Sequence, residues 1–277
     1  MMKNNKRGPM NNTDRLYAYI LKNKVVSTED LTSYVQDTFS KSYRYLYSKY
    51  LNRLLAQGKI VHVRRGIYAA ENPYIEHNPP PDKFLVGSKI RARYYIGYHS
   101  ALELHGSAYS AHNACFIATL MNDKFRNFSY GPLSFRCVTS KDVRIEIDTT
   151  KVSDQVIRVS SPSRTFVECI HRPELSLNYE EIAKSLISLG NVSIKGLLNS
   201  LKIYNCDILY RKVGYFLQYL RDNSPYYEHL SKNDLELIHA NIGRSPIYLS
   251  EGKDYDYNEH WNLYVPKDFK NIFLGVK

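Results

Sequence analysis

Hydrophobic residues near the start of the chain recur at the spacing of amphipathic helices. A first helix is predicted over residues 13–22, with Thr13 as its N-cap. A second, short helix opens at Ser27, where Asp30 three residues later resembles the partner of a capping box. A third helix is predicted from about residue 40 to residue 57, where a glycine then stops it.

The third predicted helix has two unlike faces when its residues are placed at about 100° intervals. One face is apolar and is predicted to pack inward: Tyr43, Tyr47, Tyr50, Leu51 and Leu54, flanked by Leu46 and Leu55. The opposite face carries hydrogen-bond donors and small side chains: Lys41, Ser42, Tyr45, Ser48, Lys49 and Asn52. Such a face suits base edges in a DNA major groove, although an ordinary solvated helix face has a similar composition. It holds no acidic residue, which favours the first interpretation.

The segment after this helix predicts a basic hairpin. Residues 60–69 are rich in β-branched side chains that roughly alternate, and Arg64-Arg65-Gly66 interrupts them. This pattern indicates a tight turn with two arginines at its tip. Three short helices followed by a basic hairpin predict a winged helix-turn-helix domain over residues 1–72, and residues 1–12 are predicted to be a flexible basic arm.

Positive charge is concentrated in the same region. The chain has a formal net charge of +11. Residues 1–70 hold 13 Lys and Arg against four Asp and Glu, a net charge of +9, whereas the rest of the chain carries +2. Clustered positive charge indicates an anionic partner, so we expect this region to bind double-stranded DNA. The predicted contact residues are Lys41, Ser42, Tyr45, Lys49, Asn52, Arg53, Arg64 and Arg65.

A proline-rich linker over residues 73–82 separates this region from a chain of mixed pattern. Helices are predicted at residues 83–94 and 98–105, strands at 114–121, 133–139, 143–148 and 155–160, and helices again from residue 162 onward. The tail has a loop rich in Tyr and Asp and a short apolar segment over residues 261–266. The predicted fold class is therefore α+β: a winged helix-turn-helix followed by a larger mixed α/β domain, residues 83–277, with a helical second half.

Three segments of the chain resemble the AbiEi antitoxin family of type IV toxin–antitoxin systems. They are the hairpin VRRGIYAA, the segment YIGYHSALELHG (95–106), and SPSRTFVECIHRPEL (161–175), which an amphipathic helix follows. With the domain order, the resemblance covers nearly the whole length. It implies a winged helix-turn-helix that represses its own operon at inverted repeats. It also implies a C-terminal antitoxin domain, residues 83–277, that counteracts a nucleotidyltransferase toxin encoded next door without a stable complex.

Polar residues in two of these segments are the candidate site of the antitoxin domain: His99, Ser100, Glu103, His105, Ser163, Arg164, Thr165 and Arg172. His99 and Glu103 share a helix face, but His105 does not, so the set lacks the spacing of a zinc peptidase and a structural helix explains it. Through the resemblance, Arg164 and Arg172 are candidates for recognising an anionic partner. A plain helix start after Pro162 is the alternative.

A second function class is suggested by acidic residues. Asp142, Glu146 and Asp148, followed by Lys151, loosely resemble the pattern of metal-dependent nucleases. The acid that this pattern needs two positions before the lysine is replaced by Thr149, and acids alternating along a solvent-facing edge strand are ordinary. A winged-helix protein with a metal-dependent nuclease domain is therefore the alternative. The favoured prediction is a protein that is not an enzyme and has no metal or cofactor.

The remaining features indicate a compartment. The four cysteines form no C-x-x-C pair, and no apolar run approaches the length of a membrane span. The first residues lack the apolar region of a signal peptide. These features predict a cytoplasmic protein with reduced thiols and no membrane partner.

Overall fold

The computed structural model describes residues 11–274, and the chain folds into two compact units. Within the described residues, the first unit comprises the chain up to Ala92 with Phe128–Ser134 and Lys151–Ile157. The second unit comprises Arg93–Asn127, Phe135–Thr150 and the chain from Arg158 onward. The basic arm predicted at residues 1–12 lies almost wholly outside the described residues.

The first unit contains short helices and one three-stranded sheet. Its elements are α1 (Asn12–Asn23), β1 (Val25–Ser27), α2 (Thr28–Phe39), α3 (Tyr43–Leu46), a π-helical segment (Tyr47–Leu51), α4 (Asn52–Ala56), β2 (Ile60–Arg64), β3 (Ile67–Ala70) and α5 (Lys83–Ser88). The strand order is β1-β3-β2, and both pairings are antiparallel. Apolar residues from all three sheet strands and from the helices before β2 form one core, which includes Leu16, Leu31, Leu54 and Tyr68.

The starts of α1 and α2 show how side chains define helix ends. Thr13 is not the N-cap of α1: Asn11 precedes the helix and accepts the backbone N–H of Asp14 at 2.9 Å. The capping box at α2 is confirmed. Ser27 Oγ accepts the backbone N–H of Asp30, and the Asp30 carboxylate accepts the backbone N–H of Ser27 at 2.8 Å. Each arrangement satisfies a backbone donor that the helix cannot.

The third predicted helix is present, but it begins later and contains an irregularity. Ser40 closes α2 in the left-handed conformation, with φ at 51°, so the next helix starts at Tyr43. We call α3, the π-helical segment and α4 together the segmented helix (residues 43–56). A π-helical turn aligns residues five apart, which brings Leu46 and Leu51 into the core. The inward position predicted for Tyr47 is wrong, because its side chain is 37% exposed.

The predicted hairpin is confirmed as β2 and β3, which a two-residue turn at Arg65 and Gly66 joins. Gly66 has φ at +81°, a conformation that side chains rarely adopt. Its carbonyl accepts the backbone N–H of Thr28 at 2.8 Å. The turn is therefore attached to the first residue of α2.

The first unit ends later than the predicted linker. Residues 83–92 group with it, whereas the sequence predicts a new domain from residue 83. The physical reason is contact: α5 packs near β1, and Lys89 Nζ lies 2.9 Å from the Asp30 carboxylate. Residues 128–134 and 151–157 also belong to the first unit. In this unit Lys24 Nζ donates to Ser153 Oγ at 2.8 Å.

The next part of the chain, residues 94–160, contains a sheet of six strands. The elements of this part are β4 (Tyr94–Ile96), α6 (Tyr98–Leu104), β5 (Ala114–Thr119), β6 (Phe128–Tyr130), β7 (Leu133–Thr139), β8 (Ile147–Val152) and β9 (Gln155–Ser160). The strand order is β6-β7-β5-β4-β9-β8, with β4 antiparallel to β5 and parallel to β9. The strand predicted at residues 143–148 is misplaced. Asp142 accepts the amides of Arg144 and Ile145 in a turn, and β8 starts only at Ile147.

The chain after β9 is mainly helical, as predicted. It contains α7 (Pro162–His171), α8 (Tyr179–Leu186), α9 (Ile194–Tyr204), α10 (Asp207–Asn223), α11 (Lys232–His239), β10 (Ile247–Tyr248), β11 (Tyr255–Asn258), β12 (Leu263–Pro266) and α12 (Phe269–Leu274). The tail, predicted as a loop and an apolar segment, forms a third sheet with the order β10-β12-β11. Trp261, Phe166 and Phe216 belong to the core of this region.

The fold class is α+β, since the chain combines helices with three separate sheets whose strands pair mostly antiparallel. Among the helices in residues 11–274, none has the length and hydropathy needed to cross a membrane.

Candidate nucleic-acid interface

The outward face of the segmented helix exposes every polar side chain that the sequence assigns to it. Arg53 is exposed, and so are all six residues predicted for this face: Lys41, Ser42, Tyr45, Ser48, Lys49 and Asn52. Leu46, Leu51 and Leu54 are buried on the other side. The amphipathic division predicted from the sequence is thus present, except for Tyr47; the side chain of Tyr43 is not described.

Tyr45 and Lys49 form a pair at the centre of this face. Lys49 Nζ donates to the Tyr45 hydroxyl at 2.9 Å and lies 5.2 Å from the ring centroid. Lys41 Nζ lies 5.9 Å from the same centroid. The hydrogen bond between Lys49 and Tyr45 lowers the pKa of Tyr45, and the same bond raises the pKa of Lys49. One ammonium group therefore donates to the hydroxyl of this exposed phenol, and a second lies near its ring.

Ser42 lies at the beginning of the segmented helix. Its hydroxyl accepts the backbone N–H of Tyr45 at 3.4 Å, as an N-cap does. Ser48 donates to the carbonyl of Tyr45 at 3.2 Å. Both serines thus bond to the backbone of Tyr45, and together with the adjacent lysines they restrict its position. The sequence indicated the face, but the convergence of these contacts on Tyr45 is visible only in three dimensions.

The two hairpin arginines differ in their surroundings. Arg65 is exposed in the turn. Arg64 belongs to β2, is half-buried, and places its guanidinium carbon 4.5 Å from the ring centroid of Phe128. No local sequence pattern indicates this contact, because 64 positions separate the two residues. The structure therefore gives Arg65, and not Arg64, the position of an open cation at the tip.

The motif residues of α6 lie in a buried polar cluster. His99 is 1% exposed, and its Nδ1 is 3.2 Å from Glu103 while its Nε2 is 3.2 Å from Glu181. Burial alone would raise the pKa of Glu181, but hydrogen bonds from Ser110 and His99 outweigh it and lower that pKa. The shared face predicted for His99 and Glu103 is confirmed. No sequence pattern indicated that Glu181, 82 positions from His99, belongs to this cluster.

The other residues of the same motif have structural partners. Ser100 Oγ donates to the carbonyl of Ala114 at 3.2 Å and accepts the backbone N–H of Phe116 at 3.0 Å. His105 Nε2 donates to the carbonyl of Ser160 at 2.8 Å. Burial lowers the pKa of His105, although this hydrogen bond opposes the effect. These contacts connect α6 to β5 and to the end of β9.

Arg164 lies at the centre of a second buried network. It is fully buried, and its Nε donates to Glu168 at 2.9 Å. Its terminal nitrogens donate to the Tyr95 hydroxyl at 2.6 Å and to Ser140 Oγ at 2.9 Å, and further to the carbonyls of residues 142 and 145. Each of its nitrogens has an acceptor, as a buried guanidinium requires. An exposed role for Arg164 in recognising a partner does not fit this position.

The remaining motif residues are divided between inside and outside. Thr165 is buried, and its hydroxyl is 2.7 Å from Ser160 Oγ. Ser163 Oγ accepts the backbone N–H of Ser193 at 2.9 Å, which connects α7 to the start of α9. Arg172 alone is at the surface, where it pairs with Glu174 at 2.9 Å. Only Arg172 of this set is placed to meet another molecule directly.

The acids of the alternative nuclease site are engaged locally. Glu146 accepts Ser161 Oγ at 3.0 Å and the Asn199 side chain at 3.0 Å. Asp142 accepts the turn amides described above; burial would raise its pKa, but these hydrogen bonds lower it. Over the part of the chain that the structure describes, no group of three or more His, Cys, Asp or Glu side chains is arranged to hold a metal ion.

Comparison with known proteins gives a likeness of fold. No protein-family model and no curated protein matches this chain. The crystal structure of the RV2827C protein from Mycobacterium tuberculosis is similar, with a TM-score of 0.61 and 12% sequence identity over 94% of each chain. At this identity the likeness concerns the fold, which the two chains share over nearly their whole lengths.

Proposed function

We propose that this chain is a DNA-binding transcriptional repressor whose first unit is a winged helix-turn-helix. The observation that carries the proposal is the exposed, acid-free face of the segmented helix, with Tyr45 and Lys49 paired at its centre. The order of α1, β1, α2, the segmented helix and the β2–β3 hairpin supports it. In this proposal α2 and the segmented helix are the helix-turn-helix, and the turn at Arg65 is the wing.

In this proposal the exposed side chains have two different roles in DNA recognition. Lys49, Arg53 and Arg65 neutralise phosphates, which supplies affinity without reading sequence. Ser42, Tyr45 and Asn52 present hydrogen-bonding groups to base edges, which supplies discrimination. The hydrogen bond from Lys49 to the Tyr45 oxygen leaves the phenol O–H free to donate to a base acceptor in a fixed orientation, at a small cost in side-chain entropy.

We further propose that the protein represses its own operon at inverted repeats and that the second unit counteracts a nucleotidyltransferase toxin. The support is the resemblance of three segments to AbiEi antitoxins. The motif residues mostly form the buried frame of the second unit, as His99 and Arg164 illustrate. We therefore assign the toxin-directed activity to the surface residues that these buried side chains support. The buried residues themselves have no catalytic role in this proposal.

Charge removal at matched positions tests DNA binding. Full-length protein is titrated with a random duplex across a salt series, and the slope of log affinity against log salt is expected at about −4 to −5. The triple variant Lys49→Ala, Arg53→Ala, Arg65→Ala is expected to flatten this slope by about two to three units. The control Lys195→Ala, Lys232→Ala, Lys253→Ala removes the same charge from exposed positions of the second unit.

The two triple variants distinguish binding through the proposed interface from binding that depends only on net charge. Equal slopes for the two triple variants would contradict the proposed interface, because binding would then follow net charge alone. A wild-type slope near zero would contradict DNA binding altogether.

The antitoxin part has a separate test. The nucleotidyltransferase in the neighbouring reading frame is expressed with and without this chain, and co-expression is expected to restore growth. The Lys49, Arg53 and Arg65 variant is expected to restore growth as well, since the two activities lie in different units. A neighbouring frame of another class, or no rescue, would contradict this part and leave DNA binding standing.

A further inference from the structure

Four tyrosines lie on one face of the third sheet, the sheet of β10, β12 and β11. Tyr248 and Tyr257 are 55% and 52% exposed, and Tyr255 and Tyr264 are half-buried. The register places Tyr248 beside Tyr264 and Tyr264 beside Tyr257, so one residue from each strand forms a row across the sheet. We call Tyr248, Tyr255, Tyr257 and Tyr264 the tyrosine face.

The rings of the tyrosine face contact one another. The ring centroids of Tyr248 and Tyr264 are 5.0 Å apart with 27° between the planes, and those of Tyr257 and Tyr264 are 5.2 Å apart. Tyr255 meets Tyr248 edge-on at 4.7 Å. The result is a continuous aromatic surface whose outer rings remain exposed, and contiguous exposed apolar area of this kind marks interaction sites.

The other face of the same sheet is anchored in the core. Leu263 and Val265 are buried, and Trp261 packs so closely on α10 that a Cβ at Gly214 would lie 2.1 Å from its ring. Arg211 donates to the carbonyls of residues 245 and 262 at 2.7 and 2.9 Å, which attaches the chain beside β10 and β12 to α10. A surface that is held in place before binding loses little entropy when a partner docks.

The charge around the tyrosine face differs from that of the chain as a whole. Residues 247–268 contain five Asp and Glu against two Lys, a net charge of −3 in a chain of +11. Three of these acids, Glu251, Asp254 and Asp268, line a cavity of about 580 Å³ together with both lysines. The Tyr255 hydroxyl donates to the carbonyl of Gly252 in the same cavity wall at 2.9 Å. Aromatic rings and carboxylates therefore adjoin.

We propose that the tyrosine face is a docking site for a lysine- and arginine-bearing segment of another protein. Cations stack on tyrosine rings through the negative face of the π system, and Arg does so most readily. The adjoining carboxylates of Glu251 and Asp254 pair with further basic side chains of the same segment. A nucleic acid, which also stacks on aromatic rings, would bring phosphates against a net negative surface and is disfavoured.

The test measures the anisotropy of a fluorescent octa-arginine peptide bound to the full-length protein. The variant Tyr248→Ser with Tyr257→Ser is expected to weaken binding about tenfold, since two exposed rings lose cation–π contacts. The variant with Phe at both positions keeps the rings and is expected to bind as the wild type does. Tyr226→Ser, which removes a tyrosine 52% exposed elsewhere in the second unit, is the matched control. Circular dichroism verifies that each variant is folded.

Charge and competing occupants are tested with the same variants. Glu251→Gln with Asp254→Asn is expected to weaken binding and reduce its dependence on salt. Absence of octa-arginine binding, or equal loss in the Tyr226 control, overturns the proposal. An oligothymidine that binds the wild type and is lost in the Tyr248 and Tyr257 variant overturns it in favour of single-stranded nucleic acid. A dimer in sedimentation that this variant dissociates overturns it in favour of a second copy of the chain.

Discussion

Arg65 in the first unit and Arg164 in the second carry the same cationic group in opposite surroundings. Arg65 is exposed in the hairpin turn, in a unit whose segmented helix also exposes its lysine. Arg164 is fully buried and donates to a carboxylate, two hydroxyls and two carbonyls. Both belong to segments that the sequence marked as candidate sites, yet only the first is accessible to a macromolecule.

The difference follows from what burial does to charge. An exposed guanidinium keeps its hydration and exchanges it for a phosphate at little cost. A buried guanidinium has lost its hydration during folding and must keep every acceptor, so its removal leaves Glu168 as an uncompensated buried charge. The charge of Arg65 is therefore accessible to an anionic partner, whereas the charge of Arg164 maintains the fold.

The largest expected effect is on stability. Arg164→Met is predicted to lower the free energy of unfolding by about 3–5 kcal/mol, because Glu168 stays buried without its partner. Urea unfolding of the full-length chain measures it. Arg172→Met, which removes the exposed partner of Glu174, is the control and should change the free energy by less than about 0.5 kcal/mol. Equal costs for the two variants would remove the distinction between buried and exposed arginines.

The next effect concerns the base discrimination that we propose for the first unit. Tyr45→Ala is predicted to cost about 1–3 kcal/mol on the preferred duplex, obtained by selection from random sequences, and little on random DNA. Ser42→Ala should act in the same direction. Tyr47→Ala is the matched control, since both tyrosines are 37% exposed but Tyr47 lies off the proposed face. Gel shifts on both duplexes give the ratio of the affinity for the preferred duplex to the affinity for random DNA. If the Tyr47 variant loses this preference, the base-reading face lies elsewhere.

A smaller effect separates the two hairpin arginines. Arg65→Ala is predicted to flatten the salt slope by about one unit, because one phosphate contact is lost. Arg64→Ala should change the slope less, since its guanidinium already lies against Phe128. Anisotropy across a salt series measures both variants. The reverse ranking would mean that Arg64 leaves Phe128 when DNA binds.

The smallest predicted effect is a pH dependence of the second unit. Burial lowers the pKa of His105 below its ordinary value of 6.5, so near that pH the unfolded chain takes up a proton more readily than the folded one. Stability is therefore predicted to fall as pH drops from about 7.5 to about 5.5, and His105→Gln should reduce this fall. His171, whose pKa burial also lowers, accounts for part of what remains. Exposed His77→Gln is the control, and identical pH profiles for the His105 and His77 variants would contradict the prediction.

Local chemistry made parts of the fold predictable. The capping box of Ser27 and Asp30 and the hairpin around Gly66 depend on residues close in sequence, and both are present. Two predictions for the third helix were wrong because the backbone is locally irregular: its start at Ser40 and the inward position of Tyr47. Ser40 closes the preceding helix in the left-handed conformation, and a π-helical turn changes the period on which the face prediction relied.

The sequence by itself determined where positive charge accumulates, which helix face is polar, and that helices and sheets share the chain. These properties are periodic or additive, so they survive without knowledge of the tertiary fold. Only the tertiary structure decided that Arg164 is internal, that Phe128 covers Arg64, and that distant Glu181 meets His99. It also brought four tyrosines from three separate strands onto one face. The physical reason is that burial and partner choice depend on contacts between residues tens of positions apart, which no local pattern encodes.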